Sequence, residues 1–188
     1  MYPTIALASA SPRRRELLQQ LGVNFELINP DIDESILTAE PAAEYVSRLA
    51  LAKAKTGFQL IAQRLPVLGA DTSVVIAQRI LGKPRDKTDF LQMMQLLSGQ
   101  THQVMTAIAL VNATQQLQKL VITDVSFREI TSDEMHAYWL TGEPVDKAGG
   151  YGIQGLAGKF VARINGSYSA VVGLPLCETD QLLQQLQR

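Results

Sequence analysis

Apolar positions along the chain fall into two rhythms: short continuous runs, and longer stretches that return every three or four residues. The runs predict strands at Thr4–Ala8, at Phe25–Asn29, in "PVLGAD" (66–71), and in a second run "TSVVIA" (72–77). Helical spacing predicts helices from about Pro12 to Leu21 and around Phe90, Met94 and Leu97, the latter ended by Ser98-Gly99. A long helix is predicted to open at Glu40-Pro41 and to run through Tyr45, Val46, Leu49, Phe58, Ile61 and Leu65. Gln103–Val111 and Leu117–Arg128 flank the polar "NATQQ" and predict an antiparallel hairpin. Ser132–Leu140 reads as a short helix capped by Ser132, followed by the glycine-rich loop "DKAGGYGIQGLAG". Strand candidates follow at Phe160–Ile164 and Ala170–Val172, then a terminal helix with Leu182, Leu183 and Leu186 facing inward. An acidic loop, "PDIDES" (30–35), and a turn-like "QRILGKPRD" (78–86) connect the elements.

Strands and helices are interspersed without strict alternation, and one hairpin is clear. That predicts an α/β protein with a mixed sheet and flanking helices, not a purely parallel doubly wound fold. No internal repeat, low-complexity tract or linker divides the 188 residues, so residues 1–188 read as a single domain, with room for two small lobes.

The first helix carries an anomaly. Ser11 and Pro12 suit the N-cap and first helical position, yet Arg13, Arg14 and Arg15 crowd the first turn, where the helix dipole favours negative charge. Exposed charges there cost only roughly 0.3–1 kcal/mol each, so a solvated turn is one reading. An anion held by free backbone N–H groups and guanidinium forks is the other. With a net charge of −1 there is no global basic field of the kind that drives nonspecific nucleic-acid binding, so this positive charge is local. Cys177, the single cysteine, excludes an internal disulfide framework, and its place at the start of an apolar helix predicts a buried structural thiol. No signal-peptide pattern or apolar run near ~18 residues occurs, and a cytoplasmic protein without a membrane partner is expected.

Asp71 is an acid where a buried strand gives out, which suits an Asx-turn residue or a general base or metal ligand on a rigid element. Glu34, in the acidic loop, is either a solvated carboxylate or a second ligand. Two carboxylates converging on one site would suit Mg²⁺ completed by water and substrate phosphate. Lys53, Lys83 and Lys147 read singly as surface lysines, but with Arg13 and Arg14 they could neutralise a triphosphate. The glycines at 149, 150, 152, 155 and 158 follow neither dinucleotide-binding nor P-loop spacing. His102 and His136 lack the context of a zinc site, and no G-x-S-x-G elbow is present.

The ordered set "LASASPRRRELL", "DIDE", "RLALAKA", "LGADTSVV", "LGKPRD", "LSGQTHQVMTAIAL", "DKAGGYGIQG" and "INGSYSAVVGLPL" resembles the Maf family of nucleoside triphosphate pyrophosphatases over nearly the whole chain. The resemblance implies a Maf/ITPase-like mixed sheet with flanking helices, in two lobes around a central cleft. It also implies metal-dependent hydrolysis of a nucleoside triphosphate to monophosphate and pyrophosphate, with Mg²⁺ or Mn²⁺, often by a homodimer. By position Asp71 matches the family's catalytic acid, and Arg13, Thr72 and Gln154 match the positions that separate its branches. Arg, Thr and Gln there belong to the dTTP/UTP branch, whereas a branch acting on 7-methyl-GTP carries Trp, Gln and Glu. On this reading Ser9, Arg14, Lys53 and Lys83 hold phosphates, Glu34 and Asp71 hold the metal, and the misplaced arginines face a substrate bringing roughly four negative charges. The rival reading is an inhibitor of septum formation acting through a protein partner, a role also associated with the family. No nucleic-acid partner is expected, because the charge is near neutral and RRM- or KH-type signatures are absent.

Overall fold

The apolar runs become one mixed sheet in the computed structural model, which describes residues 2–186. Its strands are β1 (Ile5–Ala8), β2 (Phe25–Ile28), β3 (Val67–Ile76), β4 (Arg79–Leu81), β5 (Thr101–Val111), β6 (Gln116–Phe127) and β7 (Val161–Asn165). They lie in the order β2-β1-β3-β5-β6-β7, with β4 added to β3. β1 pairs in parallel with both β2 and β3, and every other pairing is antiparallel, including the predicted β5–β6 hairpin. The expected mixed α/β architecture is therefore found.

The chain leaves β1 through α1 (Pro12–Gln20) to reach β2, then returns through α2 (Ala42–Leu60) across β1 to reach β3. Two right-handed crossovers in opposite directions put their helices on opposite faces. Strand periodicity fits this division: Ile5 and Leu7 pack with Leu17 and Leu18 of α1, whereas Ala6 and Ala8 pack with Val46, Ala50 and Ala54 of α2. The helices α5 (Tyr168–Val172) and α6 (Leu176–Gln185) add Val172, Leu182 and Leu183 to the α1 face. At the other end of β3, α3 (Lys87–Leu97) and α4 (Ser132–Leu140) enclose a third core around Phe90, Met94, Tyr138 and Phe160.

Small residues let α2 approach the sheet closely. A Cβ built on Gly69 would collide with the Ala50 carbonyl and lie 2.7 Å from the Ala54 backbone nitrogen. That contact sets the height of Lys53 above β3.

Several local expectations are corrected. "PVLGAD" and "TSVVIA" form one ten-residue strand, held together by β5, which pairs with it from Val67 to Val75. Asp71 thus lies in mid-strand, not at a strand end. Part of "QRILGKPRD" is strand β4, reached through Ala77 and Gln78 at φ 46° and 64°, the conformation of a type I′ hairpin turn. Ala170–Val172 is helix, not strand, because Ser167 caps it and Gly173 ends it. Thr131, not Ser132, caps α4 through a reciprocal capping box with Glu134. α2 stops at Leu60, so Ile61 packs from beyond its end. Cys177 is exposed, because it falls on the outer side of α6.

Candidate active site

β1 pairs with β3 as far as Gly69, and β4 takes up the same edge of β3 from Val74. Between them, residues 70–73 have β5 on one side and, among the described residues, no strand on the other. This gap lies at the carboxyl end of β1, where the chain has turned to opposite sides, the place where open α/β sheets bind ligands. Side chains from both faces of β3 can enter it. Asp71 does so from the α2 side and Thr72 from the α1 side.

A cleft of about 590 Å³ opens at the gap. Ser9, Arg13, Arg14, Glu34, Lys53, Asp71, Thr72, Lys83 and Gln154 all line it. Every residue that sequence reasoning assigned to the site therefore converges on one cavity, although the assignments span residues 9 to 154.

On the α2 side, Lys53 Nζ lies 2.7 Å from Asp71 Oδ1 and 2.7 Å from Glu34 Oε1. Asp71 is only 8% exposed. Burial raises its pKa above the usual carboxylate range, and the positive charges of Lys53 and Arg14 only partly oppose this. For Glu34 burial pushes the same way, but the hydrogen bond and charge of Lys53, helped by Lys83 and Arg14, outweigh it and hold its pKa low. The site thus pushes the two carboxylates in opposite directions, Asp71 toward greater basicity and Glu34 toward less. Glu34 is held in place by its backbone, since Tyr45 on α2 donates to its carbonyl at 2.9 Å. Arg48, also on α2, donates to the next carbonyl, that of Ser35, and pairs with Glu40.

On the α1 side, Ser11 caps the helix as expected, accepting from Arg14 N. The Arg14 side chain turns back over the cleft. Its Nε donates to the Gly173 carbonyl at 2.8 Å, Nη2 to Thr72 Oγ1 at 3.1 Å, and Nη1 to Ser9 Oγ at 3.4 Å. Burial lowers its pKa and the charge of Asp71 only partly opposes this, but an arginine starts so far above neutrality that it stays a cation, with N–H donors to spare. Arg13 stands at the cleft wall and helps depress Asp146, whose main partner is Lys147 at 2.7 Å. Lys147 also donates to the Glu143 carbonyl, so it braces its own loop. Arg15 is exposed and outside the cleft lining. Lys83 and Gln154 are exposed on the far rim, and neither has a hydrogen-bond partner among the described residues. The geometry leaves both available to a ligand.

The glycine-rich loop is three short 3-10 turns, Glu143–Asp146, Ala148–Gly150 and Leu156–Phe160. Glu143 ties it together by accepting from Tyr138 OH at 2.7 Å and Leu156 N at 2.9 Å. Sequence reasoning missed Glu143, Tyr45 and Thr106. Tyr45 and Thr106 sit in apolar patterns where they read as packing residues, and the position of Glu143 three residues past the end of α4 gave no signal.

Glu34 Oε1 and Asp71 Oδ1 converge on Lys53 Nζ, which leaves the other oxygen of each carboxylate as a hard donor of the type that Mg²⁺ takes. Among the described residues no cluster of three or more His, Cys, Asp or Glu side chains occurs. Two carboxylates alone would leave most positions of an Mg²⁺ ion to water and phosphate. Among the described residues no helix is long and apolar enough to cross a membrane.

The family model described as Maf-like protein matches residues 4–186. The chain is 54% identical over 188 residues to a dTTP/UTP pyrophosphatase of Pseudoalteromonas translucida (strain TAC 125), covering 100% of both chains. It is 56% identical over 180 residues to a dTTP/UTP pyrophosphatase of Escherichia coli O157:H7, covering 96% of this chain and 91% of the relative. A solved HAM1 protein from Coxiella burnetii aligns over 66% of this chain and 72% of its own with a TM-score of 0.47 and 20% identity, too distant to bear on function.

Proposed function

The chain belongs to the Maf family, and from that membership we propose that it is a dTTP/UTP pyrophosphatase, releasing pyrophosphate and the nucleoside monophosphate. The observation that carries this reading is the convergence of all the assigned residues on one cleft at the open edge of β3. The full-length identity with dTTP/UTP pyrophosphatases supports the choice of substrate.

The reaction is attack of water on the α-phosphorus, with the bond to the bridging oxygen breaking and pyrophosphate leaving. Asp71 is the proton acceptor for that water. Its burial raises its basicity, and its seat on a strand fixes its direction. Lys53 holds the carboxylate in place from α2 and adds positive charge. The Ser9 hydroxyl accepts from Ser11 N at 3.1 Å and from Arg14, which leaves its proton to donate to a phosphate oxygen. Arg14 and Lys83 supply further donors. Glu34 and Asp71 would hold a divalent cation, Mg²⁺ or Mn²⁺, and when bound it supplies charge neutralisation on the phosphates. Arg13, Thr72 and Gln154 enclose the base.

A homodimer in the cytoplasm belongs to the same reading and rests on the resemblance to the family. The test is to incubate the purified protein with Mg²⁺ and a panel of nucleoside triphosphates and identify the products. UTP and dTTP are expected to give UMP and dTMP with pyrophosphate, ahead of the purine nucleotides. Preference for a purine triphosphate would contradict the assignment.

A further inference from the structure

Thr106 is fully buried on β5, directly opposite Thr72 in the β3–β5 register. Its Oγ1 donates to the Ala170 carbonyl of α5 at 2.7 Å. A carbonyl can only accept, so the single Thr106 proton is committed there. The next bond, between Thr106 Oγ1 and Thr72 Oγ1 at 3.0 Å, must then take its proton from Thr72. Arg14 Nη2 in turn donates to Thr72 at 3.1 Å and cannot accept. The chain of bonds has one direction: Arg14 to Thr72 to Thr106 to the Ala170 carbonyl.

We infer that Thr106 is a positioning residue for base selection, because it fixes the Thr72 hydroxyl as a hydrogen-bond acceptor toward the ligand. With its proton spent on Thr106 and one lone pair taken by Arg14, Thr72 offers the cleft only its second lone pair. That lone pair matches the N3–H of uracil and thymine, the single donor on their pyrimidine edge. Cytosine presents a lone pair at the same ring position and is repelled. A site that leaves buried polar groups mismatched discriminates strongly.

Ser9 gives the contrast. It receives two hydrogen bonds and keeps its proton, so the two hydroxyls on either side of the Arg14 fork have opposite polarity. On either side of one guanidinium the cleft thus offers a donor suited to phosphate oxygens and an acceptor suited to an imide N–H. This inference rests on the proposed pyrimidine triphosphate substrate and adds the residue that sets its polarity.

The test compares kcat/KM for UTP and CTP in the wild type, Thr106→Val and Thr106→Ser. Valine keeps the shape and frees the Thr72 proton to point at the ligand, so the UTP-to-CTP ratio is expected to fall at least ~10-fold. Most of the change should appear in KM, and serine should restore the ratio, which a merely structural role would not predict. An unchanged ratio in a folded valine variant overturns the inference while leaving the parent reading intact. A wild-type ratio close to one overturns it without any variant, should valine prevent folding. A wild type idle on both UTP and dTTP overturns the parent reading, and this inference with it.

Discussion

Lys53 Nζ bridges Asp71 and Glu34, 2.7 Å from an oxygen of each, so one ammonium from α2 joins the open edge of β3 to the acidic loop. The bridge places a cation beside a buried carboxylate whose pKa burial has already raised. Much of the site's behaviour follows from that balance.

Removing the carboxylate tests its role as proton acceptor. Asp71→Asn keeps the shape and the strand but cannot take a proton, and kcat is expected to fall at least ~10²-fold. Circular dichroism should show an unchanged fold. Near-wild-type turnover in a folded variant would take Asp71 out of the mechanism.

The same substitution carries a stability prediction of defined sign. A carboxyl group with a raised folded-state pKa weakens the fold when ionised, and the penalty fades as pH falls through that pKa to the unfolded value. Asp71→Asn should therefore melt at or above the wild type at neutral pH, with the difference shrinking toward about pH 4. Thermal melts at several pH values check this. A variant that is less stable at neutral pH and catches up only in alkali would reverse the sign.

Lys53→Met removes the charge that opposes burial at Asp71. The acid limb of the kcat/KM profile is then expected to move to higher pH by ~1 unit or more, with lower activity on the plateau. A limb that stays in place would show that Asp71 does not govern it.

Gly69 fixes the distance between α2 and β3. Gly69→Ala puts a methyl group against backbone atoms of Ala50 and Ala54, neither of which can turn aside. Denaturant unfolding is expected to show a loss of ~1–3 kcal/mol, with kcat reduced because Lys53 shifts relative to Asp71. Wild-type stability in this variant would mean that α2 is free to move.

The base side of the cleft is tested by Arg13→Trp, Thr72→Gln, Gln154→Glu made together. The three positions converge on one cleft from α1, β3 and the glycine-rich loop. The ratio of kcat/KM for UTP to that for 7-methyl-GTP should fall by more than about tenfold, or ~1.4 kcal/mol. A smaller change in a folded protein would assign base choice to other residues.

Much of this was legible in the sequence, for reasons that differ by element. The α1 helix announced itself through Ser11 and Pro12, and the β5–β6 hairpin through a polar turn between two apolar runs. Short apolar runs carry no period long enough to choose helix or strand, which is why Ala170–Val172 read as strand. The caps Ser167 and Gly173 were the better signal. The hairpin at Ala77-Gln78 lacks the Asn-Gly or Asp-Gly usual for its geometry, so β4 stayed hidden. Asp71 looked like a strand end because an acid is unexpected in a buried strand. It is tolerated in mid-strand because one edge of β3 lies open there. Thr106 could not be found at all from its surroundings, "QVMTAIAL". Its role depends on a register and on the reach of α5.

If the cleft directs water to the α-phosphorus, oxygen from the solvent must end on the nucleoside monophosphate. UTP is hydrolysed in ¹⁸O-labelled water and the products are separated and weighed by mass spectrometry. Label in UMP, with unlabelled pyrophosphate, is the predicted result. Label in orthophosphate with UDP as co-product, or label in pyrophosphate, would contradict it.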